Sequence, residues 1–225
     1  MTTKEIAAKF MAQRIRQTSD MDPQNNGSST PLEIVGASFE ATEDTIFGTV
    51  NEDYVRREID WYNSKSANIY DMEGPVPQIW KDIAGTNGFV LSNYGKLHDR
   101  SHSFIIEELR ERPSSRRAIS YYSNHYMYGD LGTLGSNDFI CTNSVQYLIR
   151  DEKLQVVVNM RSNDAVYGYK NDLAWQRHIA NRIADELNLE LGVGKIMWQV
   201  GSLHIYDRHL PLVDEAIKEI KRIQA

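Results

Sequence analysis

"FICTNSVQYLIRDEKLQVVVNMRSND", residues 139–164, decides the fold. Two runs rich in Val, Ile, Leu and Tyr flank the polar triplet Arg150–Glu152, the pattern of a β-hairpin. The first run carries Cys141, the only cysteine of the chain, and the second ends in Arg161-Ser162. A lone Cys is ordinarily a small buried hydrophobe, and it becomes a nucleophile where nearby cations lower its pKa. Arg161 lies across the proposed hairpin, although spacing alone does not set its guanidinium beside the sulfur.

Working upstream, "RRAISYYS" reads as a strand and "SFIIEELRER" as a helix ending near Pro113. The stretch 124–138 reads as a Gly-rich loop. A short helix is expected around Pro77–Ala84, and "NEDYVRREIDWYNS" has Val55, Ile59 and Tyr62 at helical spacing. "LEIVGASFEA" is a strand whose Gly36 marks a bulge. Thr2 and Glu5 form a capping box for a helix over about 3–17, followed by the polar loop "QTSDMDPQNNGSSTP". Downstream, Trp175, Ile179, Ile183 and Leu187 fall four apart in "NDLAWQRHIANRIADELNLEL", a long helix stopped at Gly192. "KIMWQVGSLHIYD" is a strand and "LVDEAIKEIKRI" a final helix. Long strands mixed with long helices, without strict βαβ alternation, predict a single α+β domain over 1–225, with 1–31 as a helix plus a variable loop.

Composition narrows the function classes. The net charge is −6, which disfavours nucleic acid as a partner. No run approaches the ~18 apolar residues of a membrane span, and "MTTKEIAAKF" does not read as a signal peptide. One Cys makes no intrachain disulfide, so a reducing cytoplasm is the expected setting.

Several residues are candidates for chemistry. Arg161-Ser162 offers a fork of donors and a hydroxyl, suited to a phosphate dianion. Arg116-Arg117 is a second cation pair, but neighbours on a regular strand face opposite sides, and a solvated pair is the simpler reading. Glu58 has Tyr54 one helical turn before it and Trp61 about one turn after. A carboxyl desolvated between rings has a raised pKa suited to proton transfer, whereas a surface Glu would do nothing. His204 and His209 are five apart with no second His/Cys cluster, so no metal is expected.

Together these pieces resemble the thymidylate synthase superfamily, most closely its phage deoxycytidylate (dCMP) hydroxymethylase branch. The resemblance is carried by "CTNSVQYLIRDEKLQVVVNMRSNDAVYGYKNDLAWQ" and "GSLHIYDRH". It continues upstream in "EIVGASFEA", "RREIDWY", "IW", "SNYG" and "SSRRAI", and spans roughly residues 32 to 212. It implies a large mixed β-sheet packed against its mate in a homodimer. It implies Cys141 as the nucleophile and Glu58 as the glutamate that orders water. By the same resemblance Arg161 and Ser162 hold the nucleotide phosphate, and Arg116 and Arg117 reach the partner's phosphate across the interface. His204 and Tyr206 match the pair on the sugar 3′-hydroxyl, and Asp164 an aspartate near the pyrimidine. Trp80 and Tyr94 match aromatics lining the cleft, where 5,10-methylenetetrahydrofolate is the implied co-substrate.

The departures refine this. Asp172 stands where thymidylate synthases have Asn. Ionised Asp only accepts hydrogen bonds, which suits the amino edge of cytosine and a protonated N3 but clashes with O4 of uracil. A buried mismatch of that kind costs about 10⁴-fold or more in discrimination. A helix N-cap is the plainer role for Asp172, and the two are compatible. Thr142-Asn143 follows the nucleophile, where His is usual in thymidylate synthases. The sequence ends at "IKRIQA", soon after the expected last helix, so the tail that closes over folate in thymidylate synthases is expected to be lacking, which suits attack by water. The family's first-loop phosphate cation has no clear counterpart. The expected activity is hydroxymethylation of dCMP at C5. A CMP hydroxymethylase, a dUMP hydroxymethylase or thymidylate synthase, and a non-catalytic nucleotide-binding dimer are the alternatives.

Overall fold

The computed structural model describes residues 1–19, 32–125 and 127–224. Most of the polar loop "QTSDMDPQNNGSSTP", in which the family's phosphate cation has no clear counterpart, therefore lies outside the described residues.

Five strands form one mixed sheet in the order β1-β5-β4-β3-β2. They are β1 (Leu32–Glu40), β2 (Ile119–Tyr121), β3 (Thr142–Arg150), β4 (Lys153–Asp164) and β5 (Val193–Ile205). Only β4 and β5 run parallel, joined by the long helix α6 (Gly168–Glu186). The β3–β4 hairpin turns on Asp151 and Glu152, both at positive φ (52° and 59°), the backbone that matches strand twist in a two-residue turn. One sheet face is dry: Phe39, Val145, Tyr147, Val156, Val158 and Trp198 are fully buried. The other carries Ile119, Tyr121, Leu148, Val157 and Met197, none of them fully buried.

The remaining helices are α1 (Thr3–Ser19), α2 (Glu52–Ser64), α3 (Gln78–Ile83), α4 (Tyr94–Glu111), α5 (Met127–Asp130) and α7 (Leu210–Gln224). The capping box opens α1: Thr2 N donates to Glu5 Oε2 at 2.7 Å and Glu5 N to Thr2 Oγ1 at 3.4 Å. Helix α4 starts nine residues before the predicted "SFIIEELRER", on the Asn93 cap. Its first half buries polar groups, His98 among them, so apolar periodicity does not mark it. Within the predicted loop 124–138 lie α5 and a 3₁₀ turn at Thr133–Gly135. Strand β2 is shorter than predicted and begins after Arg116 and Arg117. Helix α6 starts at Gly168 and ends at Glu186, with Asn188 at φ +53° beyond it rather than a stop at Gly192.

A kink crosses the sheet at one level. In β4 the buried positions are 154, 156, 158 and 160, then 163; in β5 they are 196, 198 and 200, then 203 and 205. Pairing lapses between Met160↔Val200 and Ser162↔Ser202, and between Val35↔Ser202 and Ala37↔Val200. Gly36, at φ +66°, sits in the second gap, and β3 has its irregularity between Thr142 and Ser144. A Cβ on Gly201 would come 2.8 Å from the Arg161 carbonyl, so the strands close there only over a glycine. The kink keeps Arg161 and Ser162 both out of the core and turns Asn163 into it.

Candidate active site

Cys141 lies one residue before β3, not inside the strand. Arg161 reaches it from β4. Its Nη2 donates to Sγ at 3.5 Å and to the Phe139 carbonyl at 2.5 Å, and its Nε donates to the Ile140 carbonyl at 3.0 Å. The guanidinium also sits 4.8 Å from the Phe139 ring centre. Thus the cation that spacing could not place is against the sulfur. Burial pushes the thiol up to about 11; Arg161 pulls it down, while Asp172 and Asp138 push it up. At neutral pH the resting sulfur keeps its proton.

Asp138 organises the same corner. It is buried, and it accepts from Leu91 N at 2.5 Å, Ser92 N at 2.8 Å and Ser92 Oγ at 2.6 Å. This ties the approach to Cys141 to the segment that opens α4 at Tyr94. The Tyr94 ring stacks on Tyr62 with centres 5.4 Å apart, and both Cys141 and Asp172 help to raise its pKa beyond what burial does.

Glu58 projects from α2 and is 5% exposed. Tyr54 Oη donates to its Oε1, and Trp80 Nε1 donates to the same atom at 3.2 Å. Burial pushes Glu58 up to about 7 against those two donors. Trp61, expected beside it, instead donates to the Asn68 carbonyl at 2.9 Å. Trp80, expected as a cleft aromatic, has its indole N–H on this carboxyl.

Asp172 is the fifth residue of α6 and does not cap it. The N-cap is Tyr167, with no side-chain cap, and Asp164 braces the turn before it, accepting from Val166 N at 3.0 Å and Tyr167 N at 3.3 Å. Asp172 Oδ2 accepts from Asn163 Nδ2 at 2.7 Å. Burial, then the Glu58 charge, holds the Asp172 carboxyl well above the usual carboxylate range, and the Asn163 bond opposes them. The fields of Cys141, Asp172, Glu58 and Tyr94 therefore overlap in one site.

His204 pairs with Asp164 in the β4–β5 register, two residues beyond the Ser162↔Ser202 pair. Its ring meets Tyr206 edge-on with centres 4.9 Å apart, and the Arg208 guanidinium lies 4.4 Å from the Tyr206 ring centre. Arg116 and Arg117 are exposed and make no ion pair among the described residues. The Arg116 carbonyl accepts from Gln146 Nε2 at 2.8 Å. Gln146 is five residues along β3 from Cys141, about 17 Å at ~3.4 Å per residue, so this pair is remote from its own chain's sulfur.

Asn163 and Asp138 were missed by the sequence reading. Buried polar residues beside a candidate nucleophile were the available signal, but only the kink decides that Asn163 points inward. Among the described residues no group of three or more His, Cys, Asp or Glu is placed to hold a metal ion. None of their helices is long and apolar enough to cross a membrane.

Known proteins resemble this chain in sequence and in fold. A family described as thymidylate synthase matches residues 46–224. The deoxycytidylate 5-hydroxymethyltransferase of Enterobacteria phage T4 is 45% identical over 193 residues, covering 81% of this chain and 78% of the phage protein. A thymidylate synthase of Francisella tularensis subsp. holarctica is 25% identical over 178 residues, covering 72% of this chain and 64% of its own. Thermostable thymidylate synthase A from Bacillus subtilis shares the fold, with a TM-score of 0.68 at 19% identity over 97% of this chain and 84% of that one. The match over residues 46–224, with 45% identity to the phage enzyme across most of both chains, places the chain in the thymidylate synthase family.

Proposed function

We propose that this chain adds a one-carbon unit to C5 of dCMP and hydrates it, giving 5-hydroxymethyl-dCMP. The observation that carries the reading is Asp172, a carboxyl in the same site as the Cys141–Arg161 contact and the protonatable Glu58. The phage relative, named for deoxycytidylate 5-hydroxymethyl transfer, agrees with it.

In this reading the Cys141 sulfur adds to C6 of the base as its proton passes to N3, which saturates the 5,6 bond and leaves C5 electron-rich. Asp172 accepts from the amino group and from the protonated N3 of that adduct. C5 gains the one-carbon unit in exchange for its hydrogen, which leaves as a proton; Glu58, balanced near neutrality, orders the water that adds to this exocyclic carbon and takes up the water's proton. Release of the sulfur from C6 restores the base. Arg161 and Ser162 hold the nucleotide phosphate, and His204 and Tyr206 hold the sugar. Asp164 supports the pyrimidine side from the turn into α6.

The residues present also fit a planar aromatic co-substrate. Tyr128 is 75% exposed and its ring lies 5.7 Å from that of Phe139, two residues before the sulfur. Trp80 and Tyr94 would line the deeper wall. When bound there, 5,10-methylenetetrahydrofolate supplies the carbon at the oxidation level of formaldehyde. Arg116 and Arg117 serve the phosphate of a second copy, whose uncovered sheet face packs on this one. That accounts for two exposed cations that make no ion pair among the described residues.

The test offers dCMP, CMP and dUMP separately, each with 5,10-methylenetetrahydrofolate, and identifies products by mass spectrometry. We expect 5-hydroxymethyl-dCMP as the dominant product. Cys141→Ser is expected to lose at least ~10³-fold in turnover while still binding dCMP in calorimetry. A larger yield from CMP or dUMP, or full turnover by the Ser variant, overturns the assignment.

A further inference from the structure

Asn163 is 3% exposed, at the point where the kink turns β4 into the core. Its Oδ1 accepts from Trp198 Nε1 at 3.2 Å, and its Nδ2 donates to Asp172 Oδ2 at 2.7 Å. An indole N–H can only donate, so the amide can sit only one way round. Turned over, it would set its NH₂ against the indole N–H and its oxygen against the carboxyl. The room for this pair comes from Gly168. A Cβ there would lie 2.9 Å from Asn163 Nδ2 and 3.7 Å from Asp172 Oδ2. No other hydrogen bond reaches Asp172 from the described residues.

We infer that Asn163, locked by Trp198, is a positioning residue for base selection: it commits Asp172 Oδ2 as an acceptor and leaves Oδ1 as the atom that reads the amino edge of cytosine. This rests on the functional reading above and adds to it the residue that makes Asp172 selective.

The chemistry follows from the state of one carboxyl. An ionised Asp172 presents acceptors only and suits the cytosine edge. A neutral one bears a proton on Oδ1 and presents a donor, as Asn does, which suits O4 of uracil. The titratable groups that bear on it are Glu58, Tyr54 and Tyr62 from α2, Tyr94 from α4, Cys141 before β3 and Asp164 at the end of β4. All are acids, and none offers a positive charge to hold the carboxylate. The Asn163 N–H therefore supplies the stabilisation of the acceptor form that its surroundings withhold.

Asn163→Leu keeps the side-chain shape and removes the donor. Calorimetric titration with dCMP and with dUMP, without folate, from pH 5.5 to 8.5 reads base selection apart from catalysis. In the unaltered protein we expect dCMP to be preferred at neutral pH and the preference to fade as pH drops. In Asn163→Leu the dCMP-to-dUMP affinity ratio at pH 7.5 should fall about tenfold, and the fading should move up by about one pH unit. Gly168→Ala crowds the same amide and should shift both in the same direction; it stands in if the Leu variant does not fold. Variants that weaken both nucleotides equally, or that leave ratio and pH profile unchanged, overturn the inference while leaving a dCMP-selective parent intact. A parent that prefers dUMP overturns the functional reading itself.

Discussion

Glu58 keeps its proton to about pH 7 because burial outweighs the two hydrogen bonds that favour its anion. That readiness to exchange a proton costs stability. The folded-state pKa is raised above its ordinary 4.5, so between about 4.5 and 7 the folded chain binds more protons than the unfolded one. Stability then falls as pH rises through that window, and the loss is complete above it. Two and a half units correspond to about 3 kcal/mol. Glu58→Gln should therefore match the parent near pH 4.5 and exceed its unfolding free energy by up to about 3 kcal/mol at pH 8, in urea denaturation followed by fluorescence. An unchanged difference between the two pH values would refute this. Tyr54 could be paired with Glu58 from helical spacing, since both sit on one helix. Trp80 could not be, because its contact crosses from α3, and Trp61, which spacing favoured, is claimed by the Asn68 carbonyl. Sequence periodicity sees neighbours one turn away and is blind to those that arrive through the fold.

Helices α2 and α4 cross with almost no space between their backbones. A Cβ on Gly95 would fall 1.8 Å from the Tyr62 carbonyl oxygen, so the helices must separate to admit one. Gly95→Ala should destabilise by about 3 kcal/mol or more and lower the melting temperature by several degrees. It should also move Tyr94 and Tyr62, which stack across this crossing. A melting temperature within a degree of the parent's would show that the crossing yields freely. Elements with a clean apolar stripe, α2 and α6, were legible from sequence, as was the hairpin; at Gly36 the expected bulge is instead a positive-φ break in the ladder, across which the β1–β5 register is unchanged. The first half of α4 was not, because His98 there is buried against His102 at 3.0 Å and reads as a surface residue. Nor was the alignment of the kink across four strands, which depends on register, and register follows only from pairing.

At the scale of the whole molecule the less buried sheet face and the two arginines, unpaired among the described residues, make one prediction. If Arg116 and Arg117 act on the partner's nucleotide, then Cys141→Ser and Arg116→Ala/Arg117→Ala proteins are each inactive alone. Mixed and allowed to exchange subunits, they should recover about a quarter of parental activity, because half the dimers are mixed and each has one intact site. No recovery, with exchange verified by mass spectrometry, would place the arginines in their own chain's site or in none. A mixed sheet and membership in this family could be anticipated from strings such as "CTNSVQYLIRDEKLQVVVNMRSND", whereas the strand order appears only in the fold and the second copy is reached only by argument. The kink has a further consequence at the rim of the sheet. β1 and β2 are its two outer strands, and the row of backbone groups along β1 breaks at Gly36, while β2 offers only three residues. A stray extended chain finds no long straight margin on which to add itself, so the irregularity that shapes the catalytic corner also guards the protein against fibrous self-association.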